Sequence, residues 1–485
     1  MKNQSSKQNL KLNHLDMKSQ KITIAYLMSN VKILVATVVL ATGITSCREF
    51  IEIDPPKTTL TTSTVFSSEE TADAAILRIY ISMTQYYTSF ASGETSLTNL
   101  SGLASDEFQN YNSSSDFSQF AQNALTSSNS NIYQNWLEIY GLVYSVNAVL
   151  EGLENSSGIS PQSKSHLKGE AKFLRAFLYF YLVNFWGDVP LITSTDYKVN
   201  SIAARSAVNK VYDQIITDLL EAQSLLDNTT APEKNRPAKA AVTALLARAY
   251  LYTGKWSDAE TQSSSLLQNS SYALESDLNN VFLKESGETI WQLQSIAAYI
   301  NTWDGYTFVL NSAPYNVSLS DGILNAFEPG DQRKTNWINN YTEGTDTWYY
   351  PFKYKVKYFS SATASKTEYL VVLRLAEQLL IRAEARAQQS NVTDALADLN
   401  TLRNRAGLAN STASDQASIL LAIEQENRVE FFAEWGHRWL DLKRTNRVNT
   451  ILSTLKSDWQ DTDALFPLPK LDLDRNNHLT QNPGY

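Results

Sequence analysis

The sequence predicts a mostly α-helical protein, in which stacked helix pairs support a loop-rich, partly β face. Three observations carry this. Apolar residues recur at helical spacing over much of the chain. Alanine-rich helices joined by short polar turns occur at two separated places. Between about residues 270 and 365 the helical periodicity fades, and Gly, Asn, Pro and aromatic residues take over.

The elements follow in order. "FSSEETADAAILRIYISMTQYY" opens the helical part. Ser67 or Ser68 can cap it, and Glu69 and Glu70 sit where negative charge complements the helix dipole. "NIYQNWLEIYGLVYSVNAVLEGL" places Trp136, Ile139, Tyr140, Val143, Val146 and Leu150 on one face. "SHLKGEAKFLRAFLYFYLVNFWGDVPLI" is apolar nearly all round between Phe173 and Trp186, so this helix belongs deep in the core. It should stop at Gly187, with Pro190 just beyond. "VNKVYDQIITDLLEAQSLL" comes next, and then "PAKAAVTALLARAYLYTGKWSDAETQSSSLL". In the latter, a helix, the turn Thr253 to Trp256 and a second helix with Ala259 early in it resemble a tetratricopeptide repeat. Ala241, Ala244, Ala247 and Ala249 let paired helices approach closely. "LRLAEQLLIRAEARAQQSNVTDALADLNTLRNRAG" repeats the scheme with Ala383, Ala387 and Ala395. Three or four such stacked, non-contiguous pairs are expected. The irregular stretch at about 270–365 interrupts them, and a long loop inside a compact domain is commonly functional.

Charge excludes some classes. The chain carries −9 at neutral pH, and losing residues 1–46, with six lysines and Asp16, takes it to about −14. A basic footprint for nucleic acid is absent, as is one for anionic lipid. Catalytic signatures are missing too. There is no H-E-x-x-H, G-x-S-x-G, C-x-x-C, P-loop or G-x-G-x-x-G. His166, His437 and His478 lie far apart in sequence. The run Asp472-Leu-Asp474-Arg-Asn476 starts like a calcium loop, but it lacks the glycine at position 6 and has Pro483 at position 12. It reads as a turn. No catalytic residue, metal site or cofactor is expected.

The strongest constellation for binding is aromatic. "WINNYTEGTDTWYYPFKYKVKYF" (337–359) is crowded with Trp, Tyr and Phe, and Tyr299, Trp303 and Tyr306 precede it. A sugar offers an apolar C–H face that a ring can cover and hydroxyls that Asn, Asp or Arg can answer. The competing reading is a pair of strands with Phe352, Tyr354, Val356 and Tyr358 packed inward and the lysines outward. Packing is preferred for those four. Trp303, Tyr306 and Trp348, beside Gly and Asp in loop sequence, are candidates for ligand contact. Tyr111 and Asn110 are the next candidates.

The lone cysteine, Cys47, ends a basic leader and the uncharged run "ILVATVVLATGITS". That run is too short to span a bilayer and fits a secretory signal. "Ile44-Thr45-Ser46-Cys47" fits a bacterial lipobox, with cleavage before Cys47 and acylation of its thiol. The expected layout is a signal peptide over 1–46 and one domain over 47–485, carrying the insertion at about 270–365.

Several stretches together resemble the SusD/RagB family of outer-membrane nutrient-binding lipoproteins. They are the lipobox, "Leu103-Ala-Ser-Asp106-Glu107", "GEAKFLRAFLYFYLVNFWGDVPLI", "KAAVTALLARAYLYTGKWSDAE", "RLAEQLLIRAEARA", "LNTLRNRAG", "ENRVEFFAEWGHRWLDLKR" and the terminal "FPLPKLDLDRNNHLTQNPGY". Two departures stand out: Trp435 fills a place where the family has glycine, and no tryptophan follows "SDE". The resemblance implies about four tetratricopeptide-like pairs under a loop-rich ligand face. It implies a non-catalytic protein, lipid-anchored and surface-exposed on the outer membrane. Its role would be to hand an oligosaccharide to a SusC-like TonB-dependent transporter barrel. An oligopeptide ligand is the alternative within the family; a helical-repeat envelope scaffold or an unrecognised hydrolase would be alternatives outside it. The resemblance also makes Glu170, Arg175, Arg438 and Asp441 structural ion-pair residues.

Overall fold

A computed structural model describes residues 62–227 and 233–485; Cys47 and the segment 1–46 lie outside the described residues. After a single helical turn at Thr62–Val65, the first long helix, α1, spans Glu69–Thr84, and the Ser68 hydroxyl accepts the Thr71 N–H at its start. Two short helices follow, α2 (Leu97–Ala104) and α3 (Ser115–Gln122). The long α4 (Ser130–Asn155) and α5 (Pro161–Trp186) form a helix hairpin, on which α6 (Val208–Leu225) packs. α7 (Lys239–Tyr252) and α8 (Trp256–Leu267) form the next hairpin. After the insertion come α10 (Leu375–Gln388) and α11 (Val392–Arg405), then α12 (Gln416–Glu430) and α13 (His437–Arg444). The short α9 (Trp303–Phe308) lies within the insertion. Contacts run α4–α5–α6–α7–α8–α10–α11–α12, so the stack skips the insertion entirely.

Burial explains the stack. α5 buries every residue from Gly169 to Val183: its apolar residues pack all round, and Glu170, Lys172 and Arg175 are ion-paired. It stops at Gly187, whose φ of +73° suits glycine. Phe177 meets Trp291 at 5.1 Å, Tyr181 at 5.0 Å and Trp435 at 5.5 Å, all edge to face. Ala241, Ala244, Ala247, Ala383, Ala387 and Ala395 are fully buried where helices touch. Residues of α10, α11 and α12 close a second, smaller core.

Trp435 shows how the chain manages without the expected glycine. It takes φ +47°, unusual for a bulky residue. Its indole is buried on Phe177 and Tyr181, its N–H donates to the Val371 carbonyl at 2.8 Å, and its backbone N–H donates to Thr98 Oγ1 at 2.8 Å. Core packing and two hydrogen bonds offset the backbone strain. The ion pairs are buried as expected. Arg175 bonds Asp218, Glu170 bonds Arg236, Arg438 bonds Asp106, and Asp441 bonds Arg444.

Among the described residues the β structure is four two-stranded antiparallel sheets. β1 (Phe108–Asn110) pairs with β5 (Val317–Leu319), and β2 (Val189–Pro190) with β3 (Arg205–Ser206). β4 (Thr289–Leu293) pairs with β8 (Leu370–Arg374), and β6 (Ile338–Glu343) with β7 (Asp346–Pro351).

The strand expectation past residue 351 is corrected. The hairpin ends at Pro351, and residues 352–359 leave the sheet. Of the four aromatic or apolar residues expected inside, Tyr354 is buried, Phe352 and Val356 are half-buried and Tyr358 is 55% exposed. The lysines turn inward. Lys353 Nζ donates to the Glu430 carbonyl and the Glu434 carboxylate, and Lys355 Nζ donates to the Phe352 carbonyl. Lys357 Nζ donates to the carbonyls of Tyr306 and Val309. An irregular buried segment leaves carbonyls without ladder partners, and an ammonium with three donors satisfies them.

The insertion joins the stack through buried charge. Arg374 donates to Glu288 at 2.9 Å, Glu430 at 2.6 Å and Glu434 at 3.0 Å. Arg333 donates to Asp331 at 2.8 Å, Glu426 at 2.5 Å and Glu430 at 2.9 Å. Arg405 bridges Glu288 and Glu430. Burial alone would push the Glu430 carboxyl up, but Arg405, Arg374 and Arg333 hold it well below the usual range. Glu288, Asp331, Arg333 and Lys353 come from the insertion; the other members come from β8, α11, α12 and the turn before α13.

Candidate functional site

The aromatic face is assembled at the end of α1. The loop that follows turns back at Gly93, whose φ is +86°; a Cβ there would stand 1.9 Å from the Tyr87 carbonyl oxygen, so only glycine fits. The Glu94 N–H donates to that carbonyl at 3.1 Å. Asp304, on α9, pins the loop by accepting the Gly93 N–H at 3.1 Å. Thr302 caps α9 by accepting the Gly305 N–H. Trp303 then donates its indole N–H to the Thr84 carbonyl at 2.9 Å.

Three rings result. Tyr87 lies 5.7 Å from Trp303 and 5.4 Å from Tyr306, and Trp303 lies 5.7 Å from Tyr306, nearly perpendicular at 87°. All three are half-buried, so each keeps a surface open to solvent. Lys357 Nζ sits 5.1 Å from the Tyr306 ring centre. The Tyr87 and Tyr315 hydroxyls share a hydrogen bond of 2.9 Å, and Tyr315 is 53% exposed.

A second arm brings polar groups. Asp106 bonds Arg438 of α13 and Arg428 of α12, which fixes the start of β1 on the helix stack. β1 runs along β5, and the Tyr111 N–H continues the ladder to the Asn316 carbonyl at 2.8 Å. Asn110 turns the chain by accepting the Asn112 N–H at 3.0 Å. Asn112 in turn donates to Glu94 at 2.8 Å. Burial raises the Glu94 carboxyl, against the bonds from Asn112 and Tyr87. Burial also pushes Asp304 up to about 7, opposed by the Gly93 N–H. Among the described residues, no group of three His, Cys, Asp or Glu could hold a metal ion.

Of the sequence candidates, Trp303 and Tyr306 pack on Tyr87, while Asn110 and Tyr111 lie on the neighbouring turn, tied to the face through Asn112 on Glu94 and through Asn316 beside Tyr315. Trp348 does not join their ring cluster. It lies on β7 and stacks on Tyr341 of β6 at 6.4 Å and 20°. Its strand does run beside β5. Cys47 lies outside the described residues. Sequence reasoning missed Tyr87, Glu94, Asn112 and Tyr315. The one available signal was the pair Tyr86-Tyr87 just past the end of α1.

The comparisons agree with this architecture. A family profile described as starch-binding associating with outer membrane matches residues 49–251, and one described as SusD family matches residues 290–485. SusD-like protein P38 of Formosa agariphila is 25% identical, over 91% of this chain and 96% of that protein. A crystal structure of a SusD superfamily protein from Bacteroides vulgatus superposes with a TM-score of 0.78 at 22% identity, covering 87% of this chain and all of that one. A laminarin-binding SusD-like protein superposes with a TM-score of 0.73 at 24% identity, over 87% of this chain and 100% of its own. The helical-repeat stack is thus the fold of this class. The chain belongs to the SusD/RagB family.

Proposed function

We propose that the protein captures a glycan on the face built by Tyr87, Trp303, Tyr306 and Tyr315 and delivers it to a TonB-dependent outer-membrane transporter. The observation that carries this reading is the cluster of three half-exposed rings within 5.7 Å of one another, edged by Glu94 and Asn112. Rings cover sugar C–H faces, and the amide and carboxylate answer hydroxyls. The starch-binding family description and the laminarin-binding neighbour support a glycan as ligand. We read the protein as a binder and not an enzyme, because the face's two acids have structural partners: Glu94 holds Asn112, and Asp304 holds Gly93.

The lipobox at Cys47 supports a signal peptide over 1–46, an acylated anchor on Cys47 and an outer-membrane, surface-exposed location for the domain 47–485. Among the described residues no helix is long and apolar enough to cross a membrane. Affinity electrophoresis through gels containing starch, laminarin, mannan or xylan tests the ligand class. Retardation of the protein by at least one polysaccharide, lost in Tyr306→Ala, is expected. Binding of peptides with no retardation in any gel would overturn the glycan reading. Metabolic labelling with a palmitate analogue tests the anchor, and label retained by Cys47→Ala would overturn it.

A further inference from the structure

A cavity of about 640 Å³ lies among the helix pairs and shares no residue with the aromatic face. Small-molecule sites typically enclose roughly 300–1,000 Å³. Its walls come from the turn between α7 and α8, the end of α10, α12 and the segment leaving α13.

Two chemistries line it, and they meet on α12, where Leu420 and Glu424 stand one turn apart. One wall is apolar, with Trp256 at the start of α8 and Leu420 and Leu421 on α12. The Trp256 ring lies against Gly254, 3.6 Å from where a Cβ would stand, at a turn whose φ is +68°. The other wall is charged but internally paired. Arg444 donates to Glu384 at 2.5 and 2.7 Å and to Asp441 at 2.7 Å, with both acid side chains less than a tenth exposed. Arg447 Nε lies 2.8 Å from Glu424. The side-chain amides of Gln388 and Asn446 also line the cavity, and neither bonds any group among the described residues.

This lining selects a ligand class. At Arg444 an anion or cation would have to displace one partner of a buried pair and leave the other charge uncompensated. A wholly apolar ligand would strand the amides and the edges of the ion pairs without water. A neutral ring with many hydroxyls meets both walls: its C–H face covers Trp256, and its hydroxyls pair with Gln388, Asn446, Glu424 and Arg447. The geometry points to a second carbohydrate site, separate from the aromatic face, that takes a neutral di- or trisaccharide segment in the helix-repeat cavity. Its choice of ligand rests on the glycan reading of the protein, but its residues are independent of that face.

Hydrogen–deuterium exchange of the purified protein with millimolar trisaccharides separates the two sites in one experiment. The probes are neutral gluco-, manno-, galacto- and xylo-trisaccharides, with trigalacturonate as the anionic control. At least one neutral probe should slow exchange several-fold in peptides covering 251–256, 416–424 and 441–447. Trp256→Ala should remove that protection while protection at 85–95 and 303–308 remains. Gln388→Ala, a half-buried polar change that spares the core, provides a second variant should Trp256→Ala fold poorly. Protection confined to 85–95 and 303–308 overturns the second site and leaves the aromatic face standing. Protection confined to the cavity does the reverse, and protection nowhere overturns both. Equal protection of the cavity by trigalacturonate overturns the neutral-ligand assignment.

Discussion

In the helix stack, α5 buries Phe173, Phe177 and Tyr181 against Trp291 and Trp435, and small alanines seat the neighbouring helices. The insertion contributes Trp291 to that same core and is further tied to the stack through Arg333, Lys353, Arg374 and Arg405 among five carboxylates. The difference has a physical basis. Helices carry continuous apolar stripes, and burying area is a non-directional way to hold them. Loops carry no such stripe, so beyond single anchors such as Trp291 their placement depends on directional contacts. A buried charge tolerates only arrangements in which it is paired, which makes the junction a register-setting device in this protein. A cooperative core and an ionic seam should therefore respond differently when broken.

The largest effect is expected in the stack. Truncating a buried Phe costs about 3–5 kcal/mol, so Phe177→Ala should lower the thermal midpoint by many degrees while the remaining folded molecules bind ligand normally. A midpoint like that of wild type would place α5 outside the core. The seam comes next. Arg374→Met leaves Glu288, Glu430 and Glu434 short of a buried partner, and removing one member of such a set costs about 3–5 kcal/mol. The expected signature is local as well as global. Amide exchange should accelerate in residues 331–353 more than in α5, and uniform acceleration would show that seam and stack are one unit.

The face itself should respond through affinity. One stacked ring contributes about 1–3 kcal/mol, so Tyr306→Ala should weaken glycan binding roughly tenfold or more, as read by calorimetric titration. Trp303→Ala should lower both affinity and midpoint, because its indole also holds the Thr84 carbonyl. Trp348→Ala sharpens the comparison: affinity lost at an unchanged midpoint would extend the ligand face onto the β6–β7 hairpin, and wild-type affinity would confine the face to the ring cluster.

A further effect concerns pH. Burial raises the Asp304 carboxyl to about 7 in the folded chain, against about 3.9 when unfolded. The folded state therefore holds the proton more tightly, and this group's contribution to stability falls as pH rises from about 4 to about 7. Asp304→Asn removes that slope. The midpoint difference between variant and wild type should move in the variant's favour across the window, measured by melts at stepped pH. A constant difference would mean that Asp304 titrates as an exposed acid.

Legibility followed the same divide. Period-3.6 patterning located α1, α4, α5, α7, α8, α10 and α11, and Ser68 and Gly187 mark ends as cap chemistry predicts. Trp303, Tyr306, Tyr111 and Asn110 were visible as aromatic and amide residues in loop sequence. Their convergence was not, because it depends on Tyr87 and Glu94, about 200 residues from α9 in sequence, and on the pairing of β1 with β5. The lysines of "FKYKVKYF" misled for a related reason. Alternation reads as a strand, yet these lysines are consumed by carbonyls that only the folded loop presents.

What the sequence alone determined is whatever local patterning encodes: helix periods, caps, the small residues of the stack and the family signature from "SDE" to "QNPGY". What tertiary structure decided is whatever depends on distant partners. It chose Trp435 at φ +47° over glycine, because a ring there fills the space beside Phe177 and Tyr181. It assembled five carboxylates around four cations. It also brought the loop after α1, the turn after β1 and α9 to one place. Each of these has a free energy set by geometry across the fold, and periodicity along the chain carries no record of that geometry.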